Sequence, residues 1–412
     1  MNRKTFLTLI VVLLVLGGAG AALFWQDLSA WRNVDAKIGS KLFEKLAIND
    51  VAQIRIVDGK GEVVLAIKDK RWVVKQRGDY SANYQDIGDL LVKLPDLKVV
   101  QTENVGAALL PRLKLVQPGG DANKNAAKDA AKDAAKDAAK DAAKDAAKDA
   151  GKDAKDADSA GTLLELSDKN GKVIATLLLG KKVIKIEDSP LPIKQEIPVG
   201  RYVLSPGSQT VLVVSDALNS AEAKPERWLA KEFFKAERIK SLAASGDGVQ
   251  WKIARDEEYG QWKFADGAGQ LDPSAAVAAV NSLTALTFTD VAVGVKADSF
   301  DKPRTFVAET YDNLTYNITI ARKPDSDNYY LSFTVSGEPP RERTPEKGEK
   351  PADKERLDKQ FAESLKKLDE RIKLEKSLAG WTYVVAAKSL EPLLKERAQL
   401  VAAPRKPPDT KR

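Results

Sequence analysis

A chain of 412 residues with 43% hydrophobic and 30% charged side chains has a globular composition and enough length for two modest domains. It contains no histidine and no cysteine, which removes the commonest general base, the commonest transition-metal ligand, every thiolate nucleophile and every disulfide. The net charge of +7 is small against 66 basic and 59 acidic residues, and much of the excess follows Arg341 among acids, so the pattern excludes the basic stripe with interleaved aromatics of a nucleic-acid partner.

Residues 1–5 carry Arg3 and Lys4, and residues 6–25 form an uncharged run of 20. At about 1.5 Å per residue this run is long enough to cross a hydrocarbon core of roughly 30 Å as a transmembrane helix. Basic residues before it and Asp27 after it place 1–5 in the cytoplasm and the body outside, with Trp25 and Trp31 at the interface. The alternative is a cleaved signal peptide, with 7–16 as its apolar region and Ala19-Gly20-Ala21 as its cleavage site. Either reading exports the body.

Residues 34–116 read as a first α+β lobe. Ile54 and Ile56 alternate, turn at Gly59-Lys60-Gly61, and alternate again through Val63, Leu65 and Ile67, which is the pattern of a hairpin. Arg71-Trp72-Val73-Val74 marks a third strand, and Ser81-Ala82-Asn83 opens a helix whose Leu91, Leu94 and Leu97 share a face. Residues 117–160 are a low-complexity insertion, a near-perfect Ala-Ala-Lys-Asp repeat over 123–156 with no large apolar residue to bury. Residues 161–235 form a hairpin-rich region that extends or bridges the sheets, with turns at Asn170-Gly171 and Pro206-Gly207.

Residues 236–337 repeat the first lobe. Leu242, then Gly246-Asp247-Gly248, then Val249, Trp251 and Ile253 make the hairpin, and Gln261-Trp262-Lys263-Phe264 makes the third strand. Asp272-Pro273-Ser274 starts the helix, with Val280, Leu283 and Leu286 on its face. Aligning 54–100 with 239–288 puts Trp72 and Trp262 on equivalent core faces. The alternations at 306–311, 314–320 and 329–335 predict three antiparallel strands, and 338–356 a charged loop. Leu357, Phe361, Leu365, Leu368 and Ile372 describe a narrow helical stripe that opens 357–403, a region of C-terminal helices with a short strand at 381–385 and a second helix at 390–400. Residues 404–412 read as a disordered tail. The expected fold class is α+β, a transmembrane helix followed by two related antiparallel-sheet-plus-helix lobes.

The chemistry-bearing candidates are few. Ser364 and Lys367 have the spacing of some serine acyltransferases but lie on a lysine-rich amphipathic surface with no accompanying motif. Asp256, Glu257 and Glu258 are oxygen donors for a hard cation, yet adjacent residues on a strand diverge. Gly59/Gly61 and Gly246/Gly248 open no helix and read as turn glycines, not phosphate cradles. Trp72, Trp228, Trp251, Trp262 and Trp381 sit mostly inside apolar alternation and read as core, not as a ligand platform. No catalytic, cofactor-binding or metal-ligating residue is assigned, and no cofactor is expected.

The order of Arg71-Trp72-Val73-Val74, Leu90-Leu91, the turn between Asp168 and Gly171, Leu179-Gly180, Pro225-Glu226-Arg227-Trp228-Leu229, Trp262 and Leu286-Thr287-Phe288 resembles the family called domain of unknown function 4340. That resemblance implies a bacterial inner-membrane protein, single-pass through 6–25, with a periplasmic body and genes for ABC-2-type permeases and gliding-motility-like ATPases often nearby. The implied role is a non-enzymatic accessory subunit partnered with an ABC-type permease/ATPase complex. A freestanding envelope protein that binds glycan or lipid is the other reading. The Ala-Ala-Lys-Asp insertion and the charged stretch 341–376 depart from the compact family pattern.

Overall fold

The computed structural model describes residues 38–118, 159–187, 195–206, 208–345 and 349–402. The apolar segment 6–25, nearly all of the Ala-Lys-Asp insertion, Gly207 and the tail 404–412 lie outside the described residues. Among the described residues no helix is long and apolar enough to cross a membrane. The chain divides into two units, Met1–Trp228 and Leu229–Arg412.

Unit 1 opens with the expected meander. β1 (Gln53–Val57), β2 (Glu62–Lys68) and β3 (Arg71–Val74) pair in sequence, followed by β4 (Tyr80–Ser81) and α1 (Tyr84–Lys93). Helix α1 starts where it does because the Asn83 side chain accepts from the backbone N–H groups of Gln85 and Asp86, two of the donors a helix start leaves unpaired. It buries Ile87 and Leu90. The chain then lays down β5 (Val99–Asn104) and returns through β6 (Thr162–Ser167), β7 (Val173–Glu187), β8 (Gln195–Leu204) and β9 (Thr210–Val214). Among the described residues these form one antiparallel sheet in the order β4-β3-β2-β1-β6-β7-β8-β9-β5. The hairpins of 161–235 therefore extend the first sheet.

Unit 2 repeats this plan. β10 (Ile239–Gly246), β11 (Val249–Ala254) and β12 (Lys263–Phe264) form the meander, and α2 (Pro273–Thr284) follows, capped by the Asp272 side chain with Pro273 in its first turn. Next come β13 (Asp290–Ala292), β14 (Arg304–Thr310), β15 (Leu314–Arg322), β16 (Tyr329–Gly337), α3 (Pro351–Leu378), β17 (Thr382–Val385) and the single-turn α4 (Ala387–Leu390). The sheet order is β12-β11-β10-β14-β15-β16-β17-β13.

Strand for strand, β3-β2-β1-β6-β7-β8-β9-β5 matches this order. The internal repeat thus extends beyond the three strands and a helix visible in the sequence. In both units the strand after the helix crosses to the far edge, and a four-stranded antiparallel run then fills the space between. The copies differ in their insertions. Unit 1 carries its long one between β5 and β6, where Val116 bridges Ala160, so the chain leaves and returns at one place. Unit 2 carries its own between β16 and β17, where α3 sits.

The register confirms one sequence equivalence and corrects its depth. Ile54 pairs with Leu65 and Leu65 with Val74, while Leu242 pairs with Ile253 and Ile253 with Phe264. Trp72 and Trp262 are therefore at matching positions, two residues ahead of Val74 and Phe264. Both tryptophans are only half-buried, however, and Arg255 lies over the Trp262 ring. The core positions are Val74 and Phe264. Alternation gives a side chain's face, and distance from the sheet's end decides how much of it is covered. Two C-terminal boundaries also differ: α3 begins at Pro351, ahead of Leu357, and the expected helix at 390–400 is α4, a turn, and a separate 3-10 turn at Arg397–Leu400.

Gly180 shows how unit 1 closes. A Cβ there would stand 2.5 Å from the Leu113 carbonyl oxygen, which accepts from the Lys181 N–H at 2.7 Å. Only glycine lets the segment before the insertion lie this close to β7. Gly180→Ala should therefore lower the urea-unfolding stability of unit 1 by about 1–3 kcal/mol; an unchanged midpoint would show that the backbone gives way freely.

Candidate functional site

A concave surface in unit 2, on α3, shares Glu237 and Arg371 with a network of buried ionisable groups. The stripe predicted from sequence, Phe361, Leu365, Leu368 and Ile372, continues three residues on at Glu375. Only the last third of the helix is buried, through Ile372, Glu375 and Leu378. The earlier turns are tied to the segment after β16 by Arg341–Asp369 at 2.6 Å and Arg343–Asp358 at 2.9 Å. The exposed Arg341–Asp369 pair adds little, about 0–1 kcal/mol.

Glu375 is 1% exposed. Its carboxylate accepts from the Tyr316 hydroxyl at 2.8 Å and the Lys235 backbone N–H at 3.0 Å. Arg371 donates to Glu237, and its Nε lies 3.7 Å from Glu375. Burial pushes the Glu375 carboxyl above its ordinary range, outweighing the two hydrogen bonds and the Arg371 charge that favour the ionised form. Burial likewise pushes the Tyr316 hydroxyl up, with the Glu375 charge adding to it. For Arg371 burial acts downward, but the hydrogen bond and charge of Glu237 overcome it and hold the guanidinium above its usual value.

Above this network a groove encloses about 640 Å³, within the roughly 300–1,000 Å³ range of small-ligand sites. Phe361, Leu365 and Leu368 give it an apolar lining from α3, and Pro339, Pro340 and Tyr311 line it as well. Its charged lining is largely paired off: Arg238 with Asp312 and Glu258, and Arg371 with Glu237. The combination suits holding an apolar segment between fixed charges.

The residues singled out by sequence fall in several places. Ser364 and Lys367 both line this groove from α3, one turn apart, with no hydrogen bond between them. Asp256 is taken by Lys263 and Glu258 by Arg238, so the acidic run is divided between two cations. Among the described residues no group of three or more acids is placed to hold a metal ion. The Asp58 carboxylate accepts from the Lys60 and Gly61 N–H groups, and Gly246 and Gly248 have positive φ, so both glycine pairs make turns. Trp228 and Trp251 are buried, their indole N–H groups donating to the Glu222 and Lys395 carbonyls. Trp381 is half-buried.

Sequence reasoning missed Glu375 and Tyr316. An acid at a position where the stripe requires an apolar residue was the available signal for Glu375. Tyr316 sits in ordinary alternation on β15 and gives none. Arg201 in unit 1 was missed for the same reason. It is buried, its guanidinium donates to the carbonyls of Gly180, Ala217 and Leu218, and burial pulls it down to about 10.

Compared with known proteins, residues 72–306 match the family model described as a domain of unknown function, DUF4340. No curated protein and no solved structure matches the chain.

Proposed function

We propose that this chain, which belongs to the DUF4340 family, is a non-enzymatic accessory subunit of an ABC-type transport system, anchored in the bacterial inner membrane by residues 6–25 with its body in the periplasm. The observation that carries the reading is the α3 groove, whose charges are largely paired with one another and whose wall is apolar. Such a surface works by contact. A single anchor confines that contact to the membrane plane, where a high effective concentration makes weak affinities sufficient. The charge flanks of the run support the orientation, and the family resemblance supports a permease/ATPase complex as the partner.

Cross-linked pulldown of the full-length protein in mild detergent should recover a multi-span permease, and a chain starting at Val34 should recover much less. The volume of the groove also favours a second reading, a freestanding envelope protein that binds glycan or lipid. Tight binding of a purified glycan or lipid by the soluble body, with no membrane partner recovered by either chain, would replace the first reading with this one.

A further inference from the structure

The buried end of α3 holds one positive charge between two negative ones. Arg371 donates to Glu237, and its Nε, buried and without a hydrogen-bond partner, stands 3.7 Å from the Glu375 carboxyl. That distance is beyond a hydrogen bond. One guanidinium cannot neutralise both acids, and the carboxyl it leaves is the one that is 1% exposed. A buried carboxylate without a bonded cation is unfavourable, and protonation removes the penalty.

The surroundings can take that proton. The Tyr316 hydroxyl lies 2.8 Å from the Glu375 carboxyl and 3.4 Å from the Lys235 carbonyl oxygen. Its single hydrogen cannot serve both. With Glu375 ionised, Tyr316 donates to it and leaves the Lys235 carbonyl without that donor. With Glu375 protonated, the carboxyl O–H donates to the Tyr316 oxygen, Tyr316 donates to the Lys235 carbonyl, and the chain is complete. The groups acting on Glu375 are Tyr316 from β15, Arg371 from α3 itself, and Glu237 with the Lys235 N–H from the segment before β10. Tyr383 of β17 is turned to the end of the helix, where it donates to the Leu378 carbonyl. Burial acts in the same direction as the hydrogen-bond chain, holding Glu375 above the ordinary carboxylate range.

Arg371 and Glu237 also line the groove on α3, so the partner that Arg371 takes is felt there. We propose that Glu375 is a proton-operated switch of the groove: protonated, it leaves Arg371 with Glu237 at the lining; ionised, it draws Arg371 inward and bares the Glu237 carboxylate. The first state is the arrangement in this structure. Reaching the second moves Nε by less than about 1 Å. The groove then gains a free negative charge and favours a cationic group on its occupant. The switch lies in the groove's own charges and stands whichever partner the groove holds.

No native cysteine competes with an introduced one. Lys367 lines the groove one helical turn before Arg371. In the full-length Lys367→Cys protein, the rates of modification by a cationic and by an anionic methanethiosulfonate give the local potential as a ratio, in which the thiol's own ionisation cancels. As pH climbs above about 4.5, the cationic-to-anionic ratio should rise. At low salt the rise should be about five- to tenfold, because a unit charge roughly 6 Å away acts oppositely on the two reagents. It should vanish in Glu375→Gln, which stays neutral, and in Glu237→Gln, which has no carboxylate to bare. Glu237 is partly exposed, so its variant keeps the fold and carries the test even where Glu375→Gln does not. A flat ratio in Lys367→Cys, or the same rise in either added variant, would overturn the inference.

Discussion

Glu375→Ala should destabilise unit 2 by about 3–5 kcal/mol, the range for removing one partner of a buried charged network. The loss has three named parts: the Tyr316 hydroxyl, the Lys235 N–H and the Arg371 Nε are all left facing a void that water reaches poorly. Since Ile372 and Leu378 are the other buried residues of α3, the helix should also loosen, and hydrogen exchange across 351–378 should accelerate. Glu375→Gln keeps a carbonyl acceptor for both donors and isolates the ionisation. The folded-state pKa of Glu375 is raised above the ordinary 4.5, so its contribution is fully present below the unfolded value and lost as pH rises through the folded one. Relative to Glu375→Gln, the wild type should therefore lose stability as pH climbs above about 4.5. Parallel urea titrations of the two proteins measure this, and a flat difference would mean that burial does not govern the group.

Trp228→Ala should cost unit 1 a comparable amount, about 3–5 kcal/mol. The indole is fully buried and donates to the Glu222 carbonyl, while the Trp228 backbone oxygen accepts from the N–H of Asn83, the capping residue of α1. The preceding Arg227 pairs with Asp86 in the first turn of that helix. Truncation empties a large volume and also releases the residues that seat α1. Trp72→Ala is the internal control: its ring is half-exposed, and it should cost distinctly less. Equal losses in thermal melts of the two variants would contradict the burial difference.

These two residues also mark what the sequence made legible. The hairpins at Gly59-Lys60-Gly61 and Gly246-Asp247-Gly248 and the caps at Asn83 and Asp272 are local events, set by alternation and by a side-chain acceptor two or three residues from its donor. They were readable. The pairing of Ile54 with Leu166 was not, because nothing in either strand specifies a partner more than a hundred residues away. Buried Leu390, Leu393 and Leu400 have spacings that suit a helix, but Pro392 within the run removes a donor and restrains the residue before it, so the chain makes separate turns. At the candidate site the apolar wall of α3 was visible as a stripe, whereas the Tyr316–Glu375 bond joins elements 59 residues apart.

The shared strand order has a consequence for how the chain acquires its structure. In each copy the first strand must wait for a partner from the second half, across residues 58–161 in one and 247–303 in the other. The longer closure costs little in equilibrium terms, about 0.6 kcal/mol per doubling of length, but the delay matters during synthesis. While β1 waits, its edge is open, and β14 carries the antiparallel role that β6 is meant to fill. Two halves so alike are exposed to mistaken exchange of strands, the characteristic error of repeated domains. The order of emergence works against that error: every strand of the first sheet has been made before β10 leaves the ribosome, so the correct partner for β1 arrives ahead of its competitor.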